Sequence, residues 1–315
     1  MLVTGANGFV GRSLCDAMLK QGWSVRVALR THHQLPATEE AAIIGSIDDG
    51  TDWTEALRGV DVVIHLAARV HVMNDIAADP LAEFQKINLL GTVNLAYQAV
   101  RAGIKRLVYV SSIKVNGEWT TESHPFTGSD KSAPQDAYAI SKWQAEQALS
   151  RIARETGLEI VIVRPSLVYG AGVKGNFLQM LKVIAHGVPL PLASVNNRRS
   201  LLYVGNLVDA LITCATHPAA AGKTYLVSDG EDVSTPDLMR RLAAAMHVPA
   251  RLFPCPAPLL RLAATMAGKS VQAKRVLGSR QVHNDKIWRD LNWRPPYSLQ
   301  QGLQATADWY RATHV

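Results

Sequence analysis

The sequence predicts an α/β protein built on a Rossmann-type, doubly wound parallel sheet with a smaller C-terminal lobe. Short apolar runs alternate with helical stretches throughout the first half of the 315 residues, a pattern typical of a parallel sheet wrapped by helices. A glycine-rich loop, Gly5–Gly11, directly follows the first apolar run. After residue 170 the alternation loosens, and a loop rich in Pro, Ser and Asn covers 189–197.

Apolar periodicity and helix-end signals place the elements in order. Gly157 closes a long helix, since glycine readily adopts the left-handed conformation that ends helices, and Ser234 with the following Thr and Pro opens a later one. Strands are predicted at 2–4, 24–29, 61–66, 106–110, 159–163, 201–204 and 224–227, and helices at 10–21, 80–103, 135–156, from 206 onwards and at 234–246. We expect a dinucleotide-binding domain over 1–170, to which 200–220 returns, and a discontinuous substrate-binding lobe over 171–315.

Composition indicates a soluble globular protein, with 48% hydrophobic and 19% charged residues. No apolar run reaches the roughly 18 residues needed to cross a membrane, and no leader pattern precedes the glycine loop. The three cysteines are far apart and lack metal-ligand spacing, which favours a reducing cytoplasm and no metal site. The net charge of +7 is scattered along the chain, so we expect an attraction for anionic small molecules and no nucleic-acid partner.

The glycine loop is the predicted cofactor site. Gly5 permits a tight turn, Gly8 lets the backbone approach a pyrophosphate, and Gly11 packs the following helix on the strand. The other loop residues and the first helical residues are candidates for contact with the cofactor: Asn7, Phe9, Val10 and Arg12.

The end of the second strand bears on which cofactor binds. NAD sites usually carry Asp or Glu there, whereas NADP sites carry Arg. Arg30 stands at this place, 19 residues after Gly11, with no carboxylate near it, and Arg12 could add a second cation. The sequence therefore favours NADP(H), with NAD(H) as the alternative; the less favoured interpretation of Arg30 is a solvated residue at a strand end.

Tyr138 and Lys142 indicate the chemistry. They lie four residues apart in a predicted helix and so share one face. A phenol is a poor acid or base at neutral pH, and a neighbouring ammonium favours the phenolate. Such a pair can exchange a proton with a substrate oxygen while hydride moves at the neighbouring carbon. On its own, a Tyr and a Lys at this spacing are more often an ordinary exposed pair.

Several motifs occur together in one order: TGANGFVG from Thr4, HLAA from His65, NLLGTVN with Asn88, VSS ending at Ser112, YAISK from Tyr138 and RPSLVYG from Arg164. As a set they resemble the extended short-chain dehydrogenase/reductase superfamily over nearly the whole chain. The nucleotide-sugar branch, which contains UDP-sugar 4-epimerases, dehydratases and 4-ketoreductases, is the most similar.

The resemblance implies roles for individual residues. Ser112 would hydrogen-bond the substrate oxygen, although Ser111 is an alternative, and Lys142 would bind the nicotinamide ribose while lowering the pKa of Tyr138. Asn88 would hold the cofactor side of the site. The residues implied to contact the cofactor here also include Leu66, Ala67, Ala68 and Pro165.

The same resemblance implies a site for the nucleotide diphosphate of an activated sugar. Asn176 and Arg199 match positions that contact diphosphate, and guanidinium suits bidentate phosphate contact. Arg198 is an alternative to Arg199. Arg275 and Arg280 lie where substrate contacts occur, and Arg275 is the further candidate. The sequence departs from the family pattern at 115–117 and 44–47, which affects the sugar pocket and the adenine contacts.

These residues predict an NADP(H)-dependent reductase of the C4 keto group of a UDP-activated hexose, in surface polysaccharide biosynthesis and as a homodimer. The alternative is a UDP-hexose or UDP-N-acetylhexosamine 4-epimerase with tightly bound NAD, because the same triad serves both and only Arg30 favours the reductase. A dehydratase is disfavoured because Ile113 and Lys114, instead of an acidic pair, follow Ser112. A reductase of apolar ketones and a non-catalytic dinucleotide sensor are the remaining alternatives.

Overall fold

The structure is a computed structural model that describes residues 1–31, 40–70, 79–121, 124–266, 268 and 270–314. Its main element is a parallel sheet of seven strands in the order β3-β2-β1-β4-β5-β6-β9. These strands are β1 (Leu2–Thr4), β2 (Arg26–Leu29), β3 (Glu40–Ile43), β4 (Val62–His65), β5 (Arg106–Val110), β6 (Glu159–Pro165) and β9 (Thr224–Val227). The predicted Rossmann-type fold is confirmed.

A second sheet of three short strands lies in the C-terminal half, in the order β10-β8-β7. It consists of β7 (Leu167–Tyr169), β8 (Arg199–Tyr203) and β10 (Asp232–Val233). β7 runs parallel to β8, and β10 runs antiparallel to it.

The helices cover both faces of the main sheet and fill the second lobe. They are α1 (Phe9–Lys20), α2 (Thr54–Leu57), α3 (Pro80–Gln85), α4 (Thr92–Arg101), α5 (Ala137–Thr156), α6 (Gly175–Ala185), α7 (Val204–Thr216), α8 (Thr235–Ala245), α9 (Ala257–Met266), α10 (Ser270–Leu277), α11 (Asp285–Leu291) and α12 (Leu299–His314). None of these helices combines the length and the apolar character that a membrane crossing requires.

Three large apolar cores hold the layers together in the part of the chain that the structure describes. Buried residues of α1 and α7 pack on one face of the main sheet, and those of α4 and α5 pack on the other. Helices α6, α8 and α12 share a third core with β7 and β8. The predicted domain boundaries stay a prediction. The packing that bears on them is the position of α7 against α1 and the strands β4, β5 and β6.

The strand register defines where a ligand can lie. Thr4 at the end of β1 is level with Ala28 on β2 and with His65 on β4. The strand order reverses direction between β1 and β4, and ligands of open α/β sheets bind at the carboxyl ends of the strands beside such a reversal. Gly5 and Leu66, the residues that follow β1 and β4, therefore face the expected cofactor crevice.

The helix predicted over 80–103 is interrupted. Asp79 caps α3 by accepting from the Ala82 amide at 3.0 Å, and Pro80 takes the first helical position, where proline is favoured. Between α3 and α4, Lys86–Gly91 forms a π-helical segment. Such widened turns need tertiary support, and the buried Asn88 within this one makes three side-chain hydrogen bonds outside it.

We predict that Gly302→Ala destabilises the protein by about 1–2 kcal/mol, although alanine normally stabilises a helix relative to glycine. A Cβ at 302 would lie 2.4 Å from the Tyr169 hydroxyl oxygen and 2.8 Å from Cγ of Tyr203, so α12 would be pushed from its core. Urea unfolding at pH 7 measures the change. Gln300→Ala, on the exposed side of α12, is the control, and equal stabilities of the two variants would contradict the expected overpacking.

Candidate active site

The glycine loop brings three pieces of backbone into close contact. Gly5 has a positive φ of 69°, and a Cβ there would lie 2.8 Å from the Ala67 amide nitrogen. A Cβ at Gly11 would lie 2.2 Å from the carbonyl oxygen of Gly5. The Gly8 amide donates to that same Gly5 oxygen at 2.9 Å, and Gly8 precedes α1. The amino end of α1 thus opens onto a cradle without side chains, which fits a dinucleotide pyrophosphate.

Of the remaining residues of the glycine loop and the start of α1, two lie at the loop surface and two pack into the apolar cores. Asn7 is exposed. Arg12 donates from Nε to the Asn7 carbonyl at 3.1 Å, so it braces the loop. Phe9 packs against the third core, and Val10 packs against the core beneath α1 and α7. Phe9 therefore connects the cofactor loop to the substrate side.

The segment after β4 is held to β1 by a buried histidine. His65 Nδ1 and Thr4 Oγ1 are 2.7 Å apart, His65 Nε2 and Thr92 Oγ1 are 3.0 Å apart, and the Ala67 amide donates to Thr4 Oγ1 at 3.1 Å. Burial, assisted by the positive charge of Lys142, lowers the pKa of His65 to about 3. The imidazole is therefore neutral, and it fixes the partly buried stretch Leu66–Ala68 beside Gly5.

Tyr138 and Ser112 meet where β5 ends and α5 begins. The Ser112 side chain hydrogen-bonds Tyr138, and this bond opposes a burial effect that raises the pKa of the phenol to about 12, with Asp136 adding to the rise. Ser112 Oγ also accepts from the Lys114 amide at 3.2 Å. Ser111 is buried, and its hydroxyl has no hydrogen-bond partner among the residues that the structure describes. The geometry favours Ser112 over Ser111 as the partner of Tyr138.

Lys142 lies one turn along α5, fully inside the protein. Its Nζ donates to the Val110 carbonyl at 2.8 Å and stands 4.6 Å from the centroid of the Tyr109 ring. Burial lowers the pKa of Lys142 to about 7, and Glu146 opposes this effect. Burial is the largest effect on the Tyr138 pKa, and Ser112 opposes it; the lowering of this pKa by Lys142 stays a prediction.

Asn88 fastens the segment after β4 to α5. Its Oδ1 accepts from the Arg69 amide at 2.8 Å, and its Nδ2 donates to the Arg69 carbonyl and to Ser141 Oγ, both at 3.0 Å. Ser141 precedes Lys142 in the chain. Asn88 is therefore placed to hold the cofactor side of the site through protein contacts, and its predicted direct contact with cofactor stays a prediction.

The two other predicted cofactor residues both lie at the carboxyl edge of the main sheet, on strands at either side of the reversal. Arg30 follows β2 and is exposed, so it is accessible to a ligand in the crevice. Pro165 ends β6, is buried, and is level with Val227 of β9. Their roles in binding stay predictions.

Arginines converge on the substrate side. Arg199 Nη1 donates to the Arg275 carbonyl at 2.9 Å, and Arg199 pairs through its backbone with Arg280. Burial, followed by repulsion from Arg280, lowers the pKa of Arg199 to about 10. Arg280 Nη2 lies 2.8 Å from Glu118 Oε2. We call Arg199, Arg275 and Arg280 the arginine cluster; three neighbouring cations, of which Arg280 is paired with Glu118, suit an anion.

The arginine cluster lies near the start of α5, the helix that carries Tyr138, whereas Asn176 lies on α6. Asp136, the residue that caps α5 through the Ala139 amide at 2.7 Å, acts electrostatically on both Arg280 and Tyr138. Asn176 is exposed near the start of α6, and Arg198 is exposed beside Arg199. No contact in the described part of the chain joins Asn176 to the cluster.

Sequence reasoning missed two groups behind the site. Glu146, buried on α5, and Arg164, buried on β6, form an ion pair. The position of Glu146 four residues after Lys142 was the available signal, because such residues are neighbours on a helix. The Thr4–His65–Thr92 contact had no comparable signal, since it joins residues far apart in the sequence.

The fold, the glycine cradle and the Ser112–Tyr138–Lys142 arrangement define an extended short-chain dehydrogenase/reductase. Residues 1–228 match the NAD dependent epimerase/dehydratase family, and the chain belongs to it. The protein is thus an enzyme of the short-chain dehydrogenase/reductase type.

Known relatives cover the whole chain. It is 42% identical over 310 residues to a UDP-glucose 4-epimerase of Vibrio cholerae, covering 98% of this chain and 94% of the relative. It is 27% identical over 326 residues to the N-acetyl-α-D-glucosaminyl-diphospho-ditrans,octacis-undecaprenol 4-epimerase of Escherichia coli O157:H7, with coverages of 98% and 94%. The crystal structure of UDP-glucose 4-epimerase from Thermotoga maritima with UDP-glucose has the same fold, with a TM-score of 0.79, 21% identity and coverages of 99% and 98%.

We predict that His65 makes the stability of the protein fall on acidification. The folded-state pKa of about 3 lies below the ordinary histidine value of 6.5, so between these pH values the unfolded state binds a proton that the folded state does not. Stability from this group is present above pH 6.5 and is lost towards pH 3, at about 1.4 kcal/mol per pH unit.

The measurement is the free energy of unfolding in urea at pH 4.5 and 5.5. His65→Asn should reduce its dependence on pH by about one proton, whatever the variant's absolute stability. His186→Asn, at an exposed histidine, is the control. Equal slopes for wild type and His65→Asn would show that His65 is charged in the folded protein.

Proposed function

We propose that the protein is a nucleotide-sugar 4-epimerase that uses a bound NAD to oxidise and re-reduce C4 of a UDP-activated hexose. The observation that carries the proposal is the contact of Ser112 with Tyr138, one helical turn from a buried Lys142 and close to the arginine cluster. The full-length similarity to a UDP-glucose 4-epimerase supports this choice over the keto-reductase that Arg30 favours.

The side chains supply the proton chemistry. A bound NAD would supply the acceptor and donor for the C4 hydride. Ser112 holds the C4 oxygen against Tyr138, and Tyr138 takes the hydroxyl proton and later gives it back to the keto oxygen. Lys142 supplies a positive charge that favours the phenolate while the proton is on the move. An epimerase needs proton transfer in both directions, so Tyr138 acts first as a base and then as an acid, with Lys142 beside it in both steps.

The arginine cluster would hold the diphosphate. Arg199 is partly buried and carries a full positive charge at neutral pH, because its pKa of about 10 remains well above 7. A bound diphosphate would neutralise this charge, and charge-assisted bonds to phosphate are short and strong. The proposed contact of Asn176 with the diphosphate rests on its position in the sequence alone.

A 4-keto-sugar reductase is the second candidate, favoured by one observation. Arg30 is exposed at the end of β2, in the place where a carboxylate would bind the ribose hydroxyls of NAD. A cation there suits the 2′-phosphate of NADP(H), and a reductase must take up reduced cofactor afresh in each cycle. NADP(H) and NAD(H) thus accompany different reactions.

One experiment separates the candidates and tests Tyr138. The protein is mixed with UDP-glucose or UDP-N-acetylglucosamine without added cofactor, the C4 epimers are quantified, and the cofactor released by denaturation is identified. The epimerase produces the epimer and releases NAD. Tyr138→Phe should reduce turnover about 10²- to 10⁴-fold, as expected for loss of a general acid-base group.

Tyr97→Phe, on the exposed side of α4, is the control for Tyr138→Phe and should retain activity. Oxidation of NADPH that requires a 4-keto-6-deoxy sugar, without epimer formation, would replace the epimerase by the reductase. Unchanged turnover of Tyr138→Phe in either assay would contradict the proposed proton transfer.

We predict that Arg199→Gln raises KM for the nucleotide sugar about ten- to hundredfold, which corresponds to the loss of about 1.5–3 kcal/mol for hydrogen bonds to a charged group. The exposed neighbour Arg198 provides the matched control, Arg198→Gln. Steady-state kinetics on the epimer assay, or calorimetric titration with UDP, gives the comparison. A larger effect at Arg198 than at Arg199 would transfer the phosphate role to Arg198.

A further inference from the structure

A carboxylate lies one helical turn beyond Lys142, on the same side of α5. Residues four apart on a helix are neighbours, and Lys142 and Glu146 are each only 2% exposed. The spacing continues the one between Tyr138 and Lys142, so α5 carries a phenol, an ammonium and a carboxylate on successive turns. Ionised groups are rarely buried unless they are paired, so the contacts of Glu146 reveal what it does.

Arg164 of β6 clamps Glu146. Arg164 Nε donates to Glu146 Oε1 at 2.9 Å, and Nη2 pairs with Oε2, which is the bidentate arrangement of a strong ion pair. The same guanidinium donates to Asn116 Oδ1 at 2.9 Å and to Ser132 Oγ at 3.3 Å. Both lie in the chain segment between Ser112 and α5. Arg164 is therefore held by Asn116 and Ser132 as well as by Glu146, and it fixes the orientation of the Glu146 carboxylate.

The surroundings of Lys142 contribute little other negative charge. From β4 it faces His65, which is neutral, and from β5 it faces the Tyr109 ring, whose pKa is raised well above the usual value by burial and by Glu146. Tyr138 precedes it on α5 with a raised pKa. Val110 contributes a carbonyl dipole only. Glu146, which is paired with Arg164, is thus the carboxylate that acts electrostatically on Lys142.

We propose that Glu146 is a positioning residue of the hydride-transfer site: its negative charge stabilises the ammonium form of Lys142 inside the protein. Arg164 limits this stabilisation, because its positive charge neutralises part of the charge of Glu146. The charge balance among these three residues sets the upper end of the pH range in which the Tyr138–Lys142 pair works. The inference rests on the proposed role of Lys142 and holds for an epimerase and for a reductase alike.

A purely structural ion pair would behave differently, and the chain contains one of the same composition. Arg106 of β5 pairs with Glu159 of β6, with Nε to Oε2 at 2.7 Å, at the opposite ends of these strands. Arg106 is buried and also donates to two carbonyls in the last turn of α7 and to the His217 carbonyl. Glu159→Gln should lower stability and leave the titration of Lys142 unchanged.

The direct test is NMR of the full-length protein labelled with ¹³Cε-lysine, with the Lys142 signal assigned by its absence in Lys142→Arg. Glu146→Gln should lower the titration midpoint of Lys142 by about one pH unit or more, a tenfold change in the ratio of charged to neutral lysine at fixed pH. Arg164→Gln should raise the midpoint, because it removes the competing cation. Shifts of opposite sign are not expected from a loss of packing.

Glu146→Asp keeps the negative charge but moves it farther from Lys142, so it should lower the Lys142 titration midpoint by less than Glu146→Gln does. This variant replaces Glu146→Gln in the test if Glu146→Gln does not fold. In an activity assay, the decline of kcat/KM at high pH should move down in Glu146→Gln and stay in place in Glu159→Gln. An unchanged Lys142 midpoint in folded Glu146 variants would overturn the inference. The NMR titration needs no sugar, so this result is independent of which reaction the enzyme performs.

Discussion

The burial of the Lys142 ammonium is the constraint on which the arrangement of the site depends. Moving an ammonium out of water costs several kcal/mol unless neighbours compensate, and the pKa of about 7 shows that the compensation is incomplete. The neighbours are a carbonyl at 2.8 Å, an aromatic face and the clamped Glu146. A charged His65 would place a second cation near Lys142. The burial of His65 and its two threonine partners therefore have two effects: they keep the imidazole neutral beside the lysine, and they fix the end of β4.

The parallel sheet makes this arrangement possible by setting strand ends level. Because Thr4 and His65 are register partners, the loop after β1 and the stretch after β4 form opposite walls of one crevice, with Gly5 and Ala67 in near backbone contact. The next strand, β5, delivers Ser112 and the Val110 carbonyl towards α5. Cofactor cradle and proton-transfer group thus share the carboxyl edge of the sheet, as the doubly wound fold requires.

Local signals in the sequence predicted the parts of the fold that depend on local chemistry. The glycine loop, the long helix closed by Gly157 with its φ of 78°, and the Tyr138–Lys142 spacing are of this kind. The edge strand β3, rich in small residues, and the two-residue β10 carry no periodic pattern to read. The π-helical turn around Asn88 and the pairing of Glu146 with Arg164 depend on contacts across the fold, which spacing alone does not encode.

The positions of the charges on the substrate side indicate where an anion would bind, which the net charge of +7 alone does not. Arg280 is already compensated by Glu118, and Glu118 also pairs with Lys114, whereas Arg199 meets a carbonyl and a neighbouring cation. On the proposed function, a diphosphate supplies the negative charge that this arrangement needs, close to Asp136 and the start of α5. The energy gained at the arginines would then be spent on holding the sugar against Tyr138, because binding away from the reacting carbon can orient the reacting group.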